Sequence, residues 1–129
     1  MAGEKKVLLV DDHQSVLRLL ETILRLRGYQ VVYASDGVEG IEMAQKERPD
    51  LILLDVMMPN LDGFKACRML KEDPATREIP VIFLSARNEK ADAETGRRAG
   101  AVAFVHKPFK SQEIFSLLDR YLAPAPLPA

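Results

Sequence analysis

The sequence predicts an α/β domain, a doubly wound parallel sheet with helices on both faces. Three observations lead there. Five short apolar runs, Val7–Val10, Val31–Ala34, Leu51–Leu54, Val81–Leu84 and Ala101–Val105, recur along the 129 residues. They are continuously apolar rather than alternating, as strands covered on both faces are. Longer segments with apolar residues at helical spacing separate them, and right-handed crossovers between parallel strands place such helices on both sides of the sheet.

The first run ends at Asp11 and Asp12. A helix from about Gln14 to Arg27 follows, with Val16, Leu20, Ile23 and Leu24 at helical spacing and Gly28 in the place of a stop. The second run ends in Ser35 and Asp36. Asp36 and Glu39 read as a capping box for a helix over about Val38 to Lys46, whose apolar face is Val38, Ile41 and Ala44. Pro49 restarts an extended chain.

The third run leads into Asp55. The third helix, about Gly63 to Glu72, turns Phe64, Cys67 and Leu70 inward, and Asp73 to Arg77 form a loop or turn. The fourth run leads into Ser85. The fourth helix, about Glu89 to Ala99, offers mostly alanines inward: Ala91, Ala93 and Ala99. Burial stabilises by about 25 cal/mol per Å², so this helix reads either as a weakly held, mobile element or as an ordinary short Ala-rich helix. The fifth run leads past His106 to Lys107 and Pro108. The last helix, about Gln112 to Leu122, carries Ile114, Leu118 and Tyr121 on one stripe, with Ser111 as its N-cap. The expected domain therefore spans residues 1–122. Prolines at 124, 126 and 128 make residues 123–129 an extended tail or linker.

Composition narrows the function. The chain is 47% apolar and 29% charged with a net charge of -1, an ordinary globular balance. The charges are mixed, which speaks against a nucleic-acid or anionic-membrane surface. No stretch approaches the roughly 18 to 20 apolar residues of a membrane span. The N-terminal apolar run is too short for a signal peptide, and the lone Cys67 excludes an internal disulfide. The expected compartment is therefore the cytoplasm. Cys67, in an apolar-periodic stretch, reads as a small core residue.

In an open parallel sheet, ligands bind beyond the carboxyl ends of the strands. Asp11, Asp12, Asp55, Ser85 and Lys107 all fall at that edge. Close carboxylates raise one another's pKa unless a cation neutralises them, and a hard divalent ion such as Mg²⁺ suits oxygen donors. A carboxylate beside such an ion can attack phosphorus, with an ammonium and a hydroxyl stabilising the charge that spreads over the phosphoryl oxygens. His13 and His106 are set aside as ligands, because the carboxylates make the site hard rather than zinc-like. His106 reads as a surface or partner-facing residue. Gly37, Gly63 and Gly100 read as turn and helix-boundary glycines.

The blocks VLLVDDH, LILLDVMMPNLDG, VIFLSA and FVHKPF, in this order and at suitable spacing, resemble those of response-regulator receiver domains of two-component signalling. The resemblance covers about Lys5 to Leu122. It implies five helices around a five-stranded sheet of flavodoxin-like order 2-1-3-4-5. It implies Asp55 as phosphoacceptor, and Asp12, Asp55 and the Met57 backbone carbonyl as metal ligands, with Asp11 acting through a metal-bound water. Lys107 would pair with the phosphoryl group and Ser85 would donate to it. Phe104 matches the switch aromatic, although a permanently buried ring fits the position equally. The Lys107–Pro108 bond would be cis, and Met57 and Arg87 would tune phosphoryl lifetime. Ser85 stands where Thr is common, which keeps the hydroxyl and loses a methyl contact. The implied cofactor is Mg²⁺, with Mn²⁺ as an alternative. The implied donor is a histidine kinase or histidine phosphotransfer protein. Phosphorylation would draw Ser85 inward, let Phe104 follow and alter the surface of helix 4, strand 5 and helix 5, in a monomer or a phosphorylation-dependent dimer. Such a domain assists its own phosphoryl transfer without being an enzyme in the usual sense.

Two rivals remain. A haloacid-dehalogenase-like phosphatase also uses an Asp after a strand, but its general-acid Asp lies two residues on, where this chain has Met57; turnover of p-nitrophenyl phosphate would favour it. A phosphorylation-independent binding module on the same fold would be favoured if Asp55 failed to bind beryllofluoride with Mg²⁺.

Overall fold

The computed structural model describes residues 5–58, 60–86 and 90–122, with the side chains of Lys90 and Ala91 left aside. Arg87 and the Pro-rich segment 123–129 lie outside the described residues. The strands are β1 (Lys6–Val10), β2 (Gln30–Ala34), β3 (Leu51–Asp55), β4 (Val81–Ser85) and β5 (Ala103–His106). They form one parallel sheet in the order β2-β1-β3-β4-β5. Between and after them run α1 (Gln14–Leu26), α2 (Gly37–Glu47), α3 (Gly63–Glu72), α4 (Lys90–Arg98) and α5 (Ser111–Leu122).

Alternate side chains of a strand point to opposite faces, so the apolar runs feed two cores. Val7, Leu9, Leu53, Ile82 and Leu84 pack with Leu20 and Leu24 of α1 and Ile114 and Leu118 of α5. Leu8, Val10, Ile52, Leu54 and Phe83 pack with Ala44 of α2 and Ala66, Cys67 and Leu70 of α3. Continuous apolarity reports two-sided burial well for β1, β3 and β4. It overstates it at the edges, where Tyr33 of β2 is 51% exposed and Ala103 and Phe104 of β5 are half-buried. An edge strand has a neighbour on one side only, so helices cover it incompletely.

Three details depart from the sequence reading. In α2 the inward residues are Gly37, Gly40 and Ala44, whereas Val38 is exposed. The cause is close approach to β1: a Cβ on Gly40 would stand 2.9 Å from the Val10 side chain. The helix presses its smallest residues on the sheet, and Val38, one residue past Gly37, turns outward. In α4 the buried positions are Asp92 and Gly96, and Ala93 is only half-buried; Ala99, just past the helix, is buried as expected. Gly96 faces the rings of Phe83 and Phe104, where a Cβ would stand 3.0 and 3.2 Å from them. Finally, Ser111 is the first residue of α5 rather than its cap. The Lys110 amide instead donates to the Glu113 carboxylate at 3.1 Å, and the Glu113 amide donates to the Lys110 carbonyl at 3.0 Å. Elsewhere the expected cap is present: Asp36 accepts from the Glu39 amide at 2.8 Å.

Candidate functional site

Parallel register carries the strand ends to one edge. Val10 pairs with Leu54, Asp55 with Leu84 and Ser85 with His106, so Asp11, Asp12, Asp55, Ser85 and Lys107 leave the sheet side by side. Asp11 and Asp55 are buried at 1% and 3% exposure, and Asp12 is more open. The Lys107 ammonium lies 2.7 Å from Asp11 Oδ2 and 3.7 Å from Asp55 Oδ1. The Lys107 amide donates to the Ser85 carbonyl, and the Lys107–Pro108 peptide is cis. Ser85 is buried at the end of β4.

Electrostatics are those of a site short of positive charge. Asp55 is pushed up to about 6, first by burial and then by the Asp11 carboxylate. Lys107 and the Met57 amide oppose the shift without cancelling it. Three carboxylates face one ammonium here, and the donors are hard oxygens, a set that fits a divalent cation such as Mg²⁺. Beside them an open cleft of about 470 Å³ is lined by Asp12, Val56, Met57, Met58, Asp62 and Phe64.

Two residues contribute in ways the sequence reading did not assign. Gly63 opens α3 directly beneath Asp55. A Cβ there would collide with the Asp55 carbonyl oxygen and approach Val56 Cα to 2.9 Å, and the Gly63 amide donates to the Val56 carbonyl at 2.8 Å. It holds the β3–α3 loop against the site rather than merely turning the chain. His13, set aside as a ligand, brings Nδ1 to 3.0 Å from Asp11, 3.3 Å from Asp12 and 3.9 Å from Asp55. The available signal was its place directly after Asp11 and Asp12, three donor residues in a row at a strand end. His106 is exposed and stands 5.3 Å, ring to ring, from Phe104.

Comparison with known proteins bears on this arrangement directly. The response regulator receiver domain model matches residues 7–119. The chain belongs to the response regulator receiver domain family.

This receiver domain is 46% identical over 112 residues to the probable transcriptional regulator ycf27 of Cyanophora paradoxa, a match that covers 87% of this chain and 46% of that protein. It is 42% identical over 110 residues to the alkaline phosphatase synthesis transcriptional regulatory protein PhoP of Bacillus subtilis, covering 85% of this chain and 45% of that one. With the response regulator PleD of Caulobacter vibrioides it shares 44% over 111 residues, covering 86% of this chain and 24% of PleD. The chain thus spans between about a quarter and half the length of these curated relatives. Among solved structures, a response regulator from Chloroflexus aurantiacus matches with a TM-score of 0.89 at 33% identity, covering 94% of this chain and 99% of that one. The receiver domain of a sensor histidine kinase from Pseudomonas aeruginosa, with a magnesium ion coordinated in its active site cleft, matches with a TM-score of 0.86 at 33% identity and the same coverage.

Receiver domains are signalling modules of two-component systems, phosphorylated by histidine kinases or phosphotransfer proteins and binding Mg²⁺ at an acidic pocket. That acidic pocket is present in this receiver domain. Among the described residues, no helix is long and apolar enough to cross a membrane.

Proposed function

We propose that Asp55 is the phosphoacceptor of this receiver domain, with Mg²⁺ held by Asp12, Asp55 and the Met57 carbonyl and by Asp11 through water. The carrying observation is a buried carboxylate with its pKa raised to about 6, flanked by two acidic neighbours and one ammonium. When bound, Mg²⁺ neutralises the carboxylates and offers coordination to phosphoryl oxygens. An oxygen of Asp55 forms the new bond to phosphorus as the donor's phosphorus–nitrogen bond breaks, and the donor imidazole departs with the released electron pair. Lys107, 3.7 Å from Asp55, is placed to hold the incoming anion. Ser85 donates to the bound phosphoryl group.

Phe104 is half-buried between Phe83, at 6.1 Å, and the exposed face beside α4. Gly96 lets that helix lie close on both rings, so an inward move of Phe104 with Ser85 would be felt directly by α4. The surface of α4, β5 and α5 is then the output face, and Met57 and Arg87 tune the phosphoryl lifetime. The donor is a histidine kinase or phosphotransfer protein. An apolar hollow lined by Val16, Leu19, Ala86, Pro108 and Phe109 borders Lys107 and can seat such a partner. The domain comprises residues 1–122, works in the cytoplasm with Mg²⁺ or Mn²⁺, and turns over no substrate other than its own phosphoryl group.

Intact mass measurement after acetyl phosphate and Mg²⁺ tests this. Wild type should gain about one phosphate mass and Asp55→Asn none; equal gain in both would overturn the assignment.

A further inference from the structure

The acidic pocket of this chain contains a nitrogen donor as well as oxygens. His13 Nδ1 and one carboxylate oxygen each from Asp11, Asp12 and Asp55 all lie within 4.8 Å of one another. Octahedral bonds of about 2.1 Å place neighbouring donors roughly 3.0 Å apart and opposite donors roughly 4.2 Å apart. The distances from His13 Nδ1 to the two direct carboxylate ligands proposed above, 3.3 Å to Asp12 and 3.9 Å to Asp55, fall within that range, and Nδ1 is also within hydrogen-bond reach of Asp11 Oδ1 at 3.0 Å. Backbone geometry supports the placement. The His13 amide donates to Asp11 Oδ1 at 2.9 Å, which folds the residue back over the strand end just before α1 begins. Its side chain is 61% exposed, so no core packing fixes the ring there. The ring turns toward the carboxylates from a position where solvent was available.

We infer that the His13 imidazole is an additional ligand in this pocket, which makes the site prefer first-row transition ions such as Mn²⁺ and Co²⁺ over Mg²⁺. The inference rests on the metal site proposed above. Imidazole binds transition ions well and hard Mg²⁺ poorly, and affinity at mixed nitrogen–oxygen sites rises from Mn²⁺ to Co²⁺. A nitrogen donor therefore adds to transition-ion affinity and leaves Mg²⁺ affinity nearly unchanged. The competing role for His13, a ring N–H donor that only orients Asp11 and Asp12, would support every divalent ion alike.

Calorimetric titration of the full chain with Mg²⁺, Mn²⁺ and Co²⁺ separates these, using wild type, His13→Ala, His13→Gln and Asp55→Asn. The expected result is a loss of about 10-fold or more in Co²⁺ affinity in both His13 variants, a smaller loss for Mn²⁺, and Mg²⁺ affinity within about 3-fold of wild type. Electron spin-echo spectra of the Mn²⁺-loaded protein should show a directly bound nitrogen in wild type and none in either His13 variant. His13→Ala weakening all three ions equally, or none, overturns the inference and leaves the Mg²⁺ site standing. Asp55→Asn binding all three ions as wild type does would overturn the metal site itself, and the inference with it.

Discussion

The Lys107 ammonium sits closer to Asp11, at 2.7 Å, than to Asp55, at 3.7 Å. That ammonium, which we propose meets the phosphoryl group, is thus held by Asp11, a buried carboxylate beside the proposed metal ligands Asp12 and Asp55. Asp11 anchors Lys107, and Asp55 is left under-neutralised.

Removing the ammonium should expose that dependence. Lys107→Met leaves Asp11, whose side chain is 2% exposed, without its charge partner. Breaking one side of a buried pair costs about 3 kcal/mol or more. Urea denaturation in EDTA should show that loss, and added Mg²⁺ should restore much of it. Equal midpoints for wild type and variant in EDTA would show that Asp11 does not need Lys107.

The raised Asp55 pKa has a definite sign in the pH dependence. The folded group holds its proton up to about 6, above the ordinary 3.8 of an aspartate. The folded state therefore binds more protons between those values, and metal-free stability falls as pH rises through them. The shift corresponds to a cost of about 3 kcal/mol above pH 6. Asp55→Asn should remove the cost and flatten the slope, read from urea midpoints between about pH 4 and 7 in EDTA. Parallel curves for the two proteins would contradict the assigned environment.

Gly63 is a question of space, not of backbone freedom. The Asp55 carbonyl occupies the position a Cβ would take. Gly63→Ala should force the β3–α3 loop off the strand end at a cost of about 1–3 kcal/mol. It should also slow acetyl phosphate uptake by displacing Asp55. A variant with wild-type stability and uptake would mean that the loop yields freely.

Cys67 should be inert. Burial pushes its thiol up to about 11, and its Sγ donates to the Ala99 carbonyl at 3.4 Å. Iodoacetamide near pH 8 should label it only as fast as the protein unfolds, and denaturant should bring complete labelling. Rapid labelling of the folded chain would place Cys67 nearer the surface than α3 does.

Much of the site was legible because it depends on where strands stop. Asp11, Asp12, Asp55, Ser85 and Lys107 each follow an apolar run, and parallel register turns that linear fact into a shared edge. Helix faces were less legible. Val38 looked like a core residue by spacing, yet Gly40 lets α2 settle so close to Val10 that the small residues take the inward side. In α4 the same preference for close approach brings Gly96 under the two rings, where Ala93 had seemed the better candidate.

The order of strands and helices, and the residue types at each strand end, follow from the chain alone, because hydrophobic period and strand termination are local properties. Which carboxylate holds Lys107, why Gly63 must lack a side chain, and how His13 reaches three acidic neighbours were settled only in three dimensions. Those relationships join segments as far apart as residues 11 and 107. They depend on how closely each loop and helix can approach the sheet, a matter of shape and packing that no pattern along the sequence encodes.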